Sequence, residues 1–198
     1  MSKYKLIPAD TFNTLQTDAG VLVSSFDVTK KTIAASDVLC ATTGGINFTD
    51  TPTYTDYGED IDNCPTNMLE LKRLDSHEVK LSGTALTLTS DFALKLAGAA
   101  DKSTASGLTT LTPRNSLDID KDFKDLWWVG DYGDGGFVAI HLMNALNTSG
   151  FAIQTTNKGK GQFAFEFTGH YSIDDQDKVP YEIYLTDSAS TASVSAAK

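Results

Sequence analysis

The densest group of reactive side chains in this 198-residue chain is the run Asp56-Tyr-Gly-Glu-Asp-Ile-Asp-Asn63. Clustered carboxylates such as Asp56, Glu59, Asp60 and Asp62 can do acid–base or glycosidase work, or hold Ca²⁺ together with backbone carbonyls. An EF-hand loop needs acids at alternate positions, a central glycine and a terminal glutamate, and this run has a different spacing. A solvated loop, or a set of ion-pair partners for a neighbouring chain, is the plainer reading. The three histidines, His77, His141 and His170, each sit in a strand-like run. His170 shares a polar face with Thr168 and Ser172, which suits an exposed or interface position. His141 alternates with Ala139 and Met143, which suits a half-buried, hydrogen-bonded ring. No Gly-x-Ser-x-Gly elbow accompanies them, and nothing points to a catalytic triad.

Other chemistries fare no better. Gly44-Gly45 is followed by no Gly-Lys-Ser/Thr ending and belongs to no Gly-x-Gly-x-x-Gly, so a tight turn accounts for it. Trp127 and Trp128 could offer a sugar-stacking platform, but consecutive strand residues point to opposite faces. One indole in the core and one at an interface or surface is expected. Cys40 and Cys64 read as reduced, partly buried thiols, although sequence leaves a disulfide between them open. With no paired Cys or His at ligand spacing, neither a metal nor a cofactor is expected.

Short period-two patterns must position whatever these residues do. Phe163, Phe165, Phe167, Tyr171 and Ile173 fall on one face of a strand over 163–173, opposite Gln162, Glu166, Thr168, His170 and Ser172. Residues 179–185 repeat the pattern, and Pro180 puts that strand at its beginning or at a sheet edge. A polar turn at 174–178 separates the two. Residues 137–143 are apolar on both faces, so this strand is either covered on both sides or has one face at a subunit interface. It pairs with 125–131 across the glycine-rich turn 132–136. Further strands are expected at 21–26, 38–41, 77–88 and 150–155, the last joined to Phe163 as a hairpin. Leu86 and Leu88 break parity with Val79 and Leu81, which predicts a bulge near Gly83. One helix is expected around 90–100, capped by Thr89 or Ser90, with Phe92, Leu96 and Ala99 on one face. The result is a mostly β protein, an antiparallel sandwich or barrel with one flanking helix and a long loop around 44–71. Residues 1–17 read as an N-terminal arm, 18–186 as the domain and 187–198 as a disordered tail of Ser, Ala and Thr.

Size and charge narrow the function. Apolar residues make up 40% and charged residues 21%, ordinary for a globular domain. No window approaches the roughly 20 apolar residues of a membrane span, and the N-terminus carries no signal-peptide core, so synthesis and folding in a cytoplasm are expected. The net charge of −10 argues against static nucleic-acid binding, which needs clustered Lys and Arg.

Several stretches together carry a resemblance. They include Asp18-Ala-Gly-Val-Leu-Val23, Ala41-Thr-Thr-Gly-Gly-Ile46, Gly58-Glu-Asp-Ile-Asp-Asn63, Leu71-Lys-Arg-Leu-Asp75 and Leu108-Thr-Thr-Leu-Thr-Pro-Arg114. Further on come Asp122-Phe-Lys-Asp-Leu-Trp-Trp-Val-Gly-Asp131, Asn144-Ala-Leu146 and Gly159-Lys-Gly-Gln-Phe163. In order and spacing the chain resembles the major tail (tail tube) proteins of long-tailed bacteriophages. The resemblance implies a β-sandwich subunit that forms hexameric rings, stacked into a hollow tube through which double-stranded DNA passes without specific binding. It implies no catalytic residues and no membrane. The implied partners are copies of the chain itself and the tape measure, tail terminator and distal tail proteins, in the virion tail.

Under that expectation Thr42, Gly44, Gly45, Asp56, Tyr57, Gly58, Glu59, Asp60, Asp62 and Asn63 belong to a ring-stacking loop. Trp127, Trp128, His141 and His170 are candidates for a strand or hairpin interface. DNA carries about one negative charge per 1.7 Å of axis, so an acidic lumen would let it slide and a basic one would hold it. Two other readings remain. A β-sandwich carbohydrate-binding or adhesion module would use Trp128, Tyr132 and loop carboxylates, and a hydrolase would use residues 56–62.

Overall fold

The computed structural model describes residues 7–8, 11–133 and 135–186. Its strands are β1 (Gln16–Val23), β2 (Val38–Cys40), β3 (Thr42–Asp56), β4 (Lys72–Ala85), β5 (Ala100–Ala105), β6 (Leu108–Pro113), β7 (Lys124–Tyr132), β8 (Phe137–Asn147), β9 (Phe163–Thr168) and β10 (Tyr181–Leu185). Helix α1 (Ser90–Ala97) follows β4, and the single-turn α2 (Ile119–Asp122) precedes β7. The main sheet runs β2-β1-β7-β8-β9-β4-β3, with β10 added to β8, and its pairings are antiparallel.

Strand β8 turns this ladder into two layers. Its first half, Val138 to Leu142, pairs with β10, while Leu146 and Asn147 pair with Thr168 and Phe167 of β9. One layer is thus β2-β1-β7-β8-β10 and the other β9-β4-β3. Leu22, Leu126 and Leu142 of the first meet Val79, Leu81, Phe165 and Phe167 of the second, and Phe92 and Leu96 of α1 join the same cluster. Each such side chain removed from water contributes about 1.5–3 kcal/mol before entropy is counted. The mostly β, sandwich-like architecture expected from the alternating patterns is therefore present.

A second cluster lies on the other face of β7 and β8. Val23, Phe26, Val129, Phe137 and Ala139 are buried there, with Val28, Ile33, Trp127 and Tyr184 packed on them. The doubly apolar run 137–143 is therefore covered on both sides within one subunit. The β7–β8 hairpin forms as expected, with Trp127 opposite His141. Helix α1 is capped by Thr89, whose Oγ1 accepts from Phe92 N. Gly98, at φ +70°, ends it, so Ala99 lies beyond the helix rather than on its apolar face.

Several expectations need correction. Nearly half of the expected loop 44–71 is strand: β3 pairs with β4 from Thr42↔Ala85 to Asp56↔Lys72. The alternating β-branched Thr49, Thr51, Thr53 and Thr55 favour an extended chain, and only 57–71 remains loop. The bulge near Gly83 lies opposite it in β3, and the extra residue of β4 is Asp75, between the Thr53↔Ser76 and Tyr54↔Leu74 pairs. Gly44 and Gly45, at φ +76° and +81°, are the extra residues between Thr43 and Ile46, while β4 keeps regular register with β9. Gly83 is small because a Cβ there would lie 2.8 Å from the Phe165 ring. Leu86 and Leu88 follow the strand, so their parity carries no register information.

The expected strand at 150–155 reduces to one bridge, Gln154↔Gln162. β9 stops at Thr168 because Gly169 passes tightly between Leu142 and the Pro180 carbonyl, and Ile173 beyond it is exposed. The β5–β6 hairpin and α2 went unforeseen. Ser106 and Gly107 both have positive φ, as a two-residue hairpin turn requires. Gln16 and Thr17, assigned to the N-terminal arm, pair with Tyr132 and Asp131 in the sheet. The expected tail at 187–198, and residues 1–6, 9–10 and 134, lie outside the described residues.

Candidate functional site

The β3–β4 hairpin outgrows the body that supports it. From Ile46 to Pro52 the even-numbered residues of β3 are half-buried, and Ile46 and Phe48 pack on the core. From Thr53 to Tyr57 on one strand and from Lys72 to Ser76 on the other, every residue but Asp56 is exposed. Both faces of the ribbon are therefore in solvent over residues 53–76, and the paired Tyr54 and Leu74 are 53% and 47% exposed. At about 3.4 Å per residue the four-residue stem projects roughly 13 Å.

The tip of this arm is held by its own contacts. Asp56 Oδ1 accepts from Gly58 N at 2.9 Å and Oδ2 from Asn67 N at 2.8 Å. These two backbone donors hold the Asp56 carboxyl below the usual carboxylate range. Asn63 and Asn67 occupy the left-handed region, which asparagine tolerates. Cys64 Sγ lies 3.3 Å from Met68 Sδ, and Arg73 Nη1 donates to Tyr57 Oη at 3.2 Å. Glu59, Asp60 and Asp62 point into solvent, and Tyr57, Ile61 and Leu69 are 54%, 51% and 85% exposed. Of the stacking candidates, Asp56 to Asn63 therefore gather at the tip, whereas Thr42, Gly44 and Gly45 lie at the root of the arm in the bulge.

Besides the three-residue β2 at one end of the main sheet and the separate β5–β6 ribbon, two longer strand borders stay open among the described residues. β3 pairs only with β4, and β10 pairs only with β8. On β10, Ile183 and Leu185 are 50% and 58% exposed, so its border carries unburied apolar surface. Pro180 is fully buried just before it, in keeping with a strand that starts there.

The other candidates are engaged inside the subunit. Trp127 stacks on His141 with ring centres 4.0 Å apart, and His141 Nε2 lies 3.0 Å from Asp125 Oδ2. Trp128 packs on the main core and donates Nε1–H to Ala19 O at 3.0 Å. His170 Nδ1 donates to Asn144 O at 3.1 Å, and its ring edge meets Phe123. Neither indole presents a free face for a sugar. His77 has a partner the sequence did not suggest. Its Nδ1 lies 2.9 Å from both oxygens of Asp50, which also accepts from Tyr181 Oη at 2.9 Å. This triplet ties the arm strands β3 and β4 to β10 across the two layers.

Cys40 is buried in the core and Cys64 lies in the arm; both are free thiols, and burial pushes Cys40 up to about 11. Among the described residues no three His, Cys, Asp or Glu side chains gather to hold a metal ion, and no helix is long and apolar enough to cross a membrane. Compared with models of known protein families and with curated proteins, the chain matches none of them.

Proposed function

We propose that this chain is a structural, self-assembling subunit of the phage tail tube type. Copies form rings, expected to be hexameric, and the rings stack into a conduit for double-stranded DNA, with the tape measure, terminator and distal tail proteins as further partners. The observation that carries the reading is the projecting β3–β4 arm. A ribbon with both faces in solvent and Tyr54, Tyr57, Ile61, Leu69 and Leu74 exposed along it does nothing for the stability of its own subunit. It gains burial only against another chain. The open borders of β3 and β10 supply the second requirement, since strand addition between copies would consume them. The net charge of −10 suits a conduit that repels its passenger.

The glycan-binding alternative is less favoured, because Trp127 and Trp128 are spent on internal contacts. The hydrolase alternative would have Asp56 as a reacting group, but that carboxylate caps its own loop.

The test is negative-stain electron microscopy and sedimentation at rising concentration. The intact chain is compared with a variant in which residues 57–71 are replaced by a two-residue turn. Rings or hollow filaments from the intact chain, lost in the shortened one while its circular dichroism is unchanged, is the expected result. A particle of 21.3 kDa at every concentration would remove the reading.

A further inference from the structure

A cavity of about 690 Å³ opens between α1, the β5–β6 hairpin and α2, remote in sequence from the arm. Leu94, Lys95, Lys102, Lys121 and Lys124 line it, four of the chain's sixteen Lys and Arg residues. Three carboxylates share the wall but are occupied. Asp91 pairs with Lys102 at 2.6 Å, and Asp101 and Asp122 pair with Arg114 at 3.0 and 2.5 Å. Lys121 pairs with Asp118 at 2.8 Å. Lys95 and Lys124 are left without a carboxylate partner among the described residues. Lys124 Nζ donates only to the Asp120 carbonyl, and Asp125 acts on Lys95 from a distance without contact. Burial, followed by the repulsion of Lys124, holds the Lys95 ammonium below its ordinary pKa. Two neighbouring cations, one of them largely desolvated, are a cost that a bound anion would offset.

We propose that this cavity receives the arm tip of a second copy of the chain, with Glu59, Asp60 and Asp62 meeting Lys95, Lys121 and Lys124 and Ile61 meeting Leu94. The argument is complementarity. Residues 56–71 hold five carboxylates and no Lys or Arg, and only Asp56 is used internally. The tip is exposed, acidic and partly apolar; the cavity's four ammonium groups outnumber its three carboxylates, Leu94 and Ala100 add apolar lining, and it is of ligand-site size. The proposal rests on the self-assembly reading and adds its receptor.

The test is a charge swap on the full chain. Lys95→Glu with Lys124→Glu, and separately Glu59→Lys, Asp60→Lys and Asp62→Lys, should each raise the concentration needed for assembly by about tenfold or more. Mixing the two variants should restore assembly to near the wild-type threshold, because each then offers the other an oppositely charged surface. Should Lys95→Glu lower the melting temperature, the exposed pair Lys121→Glu and Lys124→Glu carries the same test. If both variants assemble as wild type does, or if the mixture stays as defective as its components, the receptor assignment falls and the assembly reading stands. Inorganic phosphate filling the cavity in calorimetry without shifting assembly would likewise mark a small-anion site and overturn the assignment. Wild-type chain that never assembles removes both.

Discussion

Asn147 offers the sharpest stability test, because one buried side chain joins three elements. It is 6% exposed, the one buried polar or charged residue among the described residues. Its Nδ2 donates to Leu96 O of α1 at 2.6 Å and to Gly150 O at 2.9 Å. Its Oδ1 accepts from Glu166 N of β9 at 3.0 Å and from Ser149 Oγ at 3.0 Å. Asn147→Leu keeps the branched shape and heavy-atom count, is somewhat bulkier, and removes all four bonds. Ser149 is exposed and Gly150 half-exposed, so their groups can turn to water. Leu96 O and Glu166 N cannot do so easily, and each stranded backbone group costs about 1–3 kcal/mol. The expected loss is about 3 kcal/mol, or on the order of 6–12 °C in Tm for a chain of this size. Thermal and urea unfolding followed by circular dichroism measure it. Asn147→Asp should be at least as harmful at neutral pH, since it sets an anion against two carbonyls. Burial and the two carbonyls raise its folded-state pKa, so the penalty should shrink as pH falls through that raised value, where the carboxyl protonates and regains one donor, and its ionic part should be gone below the unfolded value of about 3.9. A loss below about 1 kcal/mol for Asn147→Leu would refute the view that this side chain clamps α1 to the β8–β9 junction.

Four further outcomes are expected. In native protein a thiol reagent should modify Cys64 and spare Cys40, which is buried and has its thiol pushed up to about 11. Because the unfolded chain releases that proton from about pH 9 while the folded chain keeps it, stability should fall as pH rises from 9 toward 11, as urea midpoints would register. Gly20→Ala, at φ +67° with a Cβ 2.6 Å from Val129 O, should cost about 3 kcal/mol or more, whereas Gly107→Ala, with open space around it, should cost only about 1–2 kcal/mol. Asp56 titrates below its ordinary range, so its hold on the Gly58 and Asn67 amides is complete above the unfolded value near 3.8 and is lost as pH falls through the lower folded one; hydrogen exchange at those amides should accelerate there and nowhere else in the β3–β4 stem.

The sheet was legible where side chains alternate against a core. Phe163, Phe165 and Phe167, the β7–β8 hairpin and the Thr89 cap could be read from the chain because burial imposes period two on a strand and a cap needs only one residue of the right kind. The arm was misread for the opposite reason. Beyond Pro52 it has no buried face, so Tyr54, Thr55, Lys72 and Leu74 show no alternation to detect. β5 and β6 hide in the same way behind exposed Ser, Thr and Lys. The acidic tip was visible as a cluster, whose plain reading was a solvated loop or a set of ion-pair partners for a neighbouring chain. Its proposed receptor was not visible, because Lys95, Lys102, Lys121 and Lys124 come together only when α1, β5 and α2 are folded around one cavity. The Asp50–His77–Tyr181 link likewise joins residues up to 131 positions apart, which no local pattern reveals.

Under the proposed self-assembly an acidic chain would have to overcome its own charge, and the layout of this one decides which term wins. The net −10 is spread over 13669 Å² of surface, and at physiological salt the screening length is about 8 Å. Most of those charges therefore do not feel their counterparts on a neighbour. What remains is contact-range chemistry, where the arm carries Glu59, Asp60 and Asp62 at the tip and its cations, Lys72 and Arg73, on the stem, Arg73 paired there with Asp75 at 3.4 Å. Lys72 lies over the Tyr54 ring at 5.5 Å and bonds Asn67, so the stem's cations are committed locally and do not neutralise the tip. The tip thus stays negative in the subunit alone, and in the proposed assembly the cavity holding Lys95 and Lys124 would gain by meeting it. Apolar burial by Tyr57, Ile61 and Leu69 would then supply affinity, and the charges would choose the direction in which the arm points.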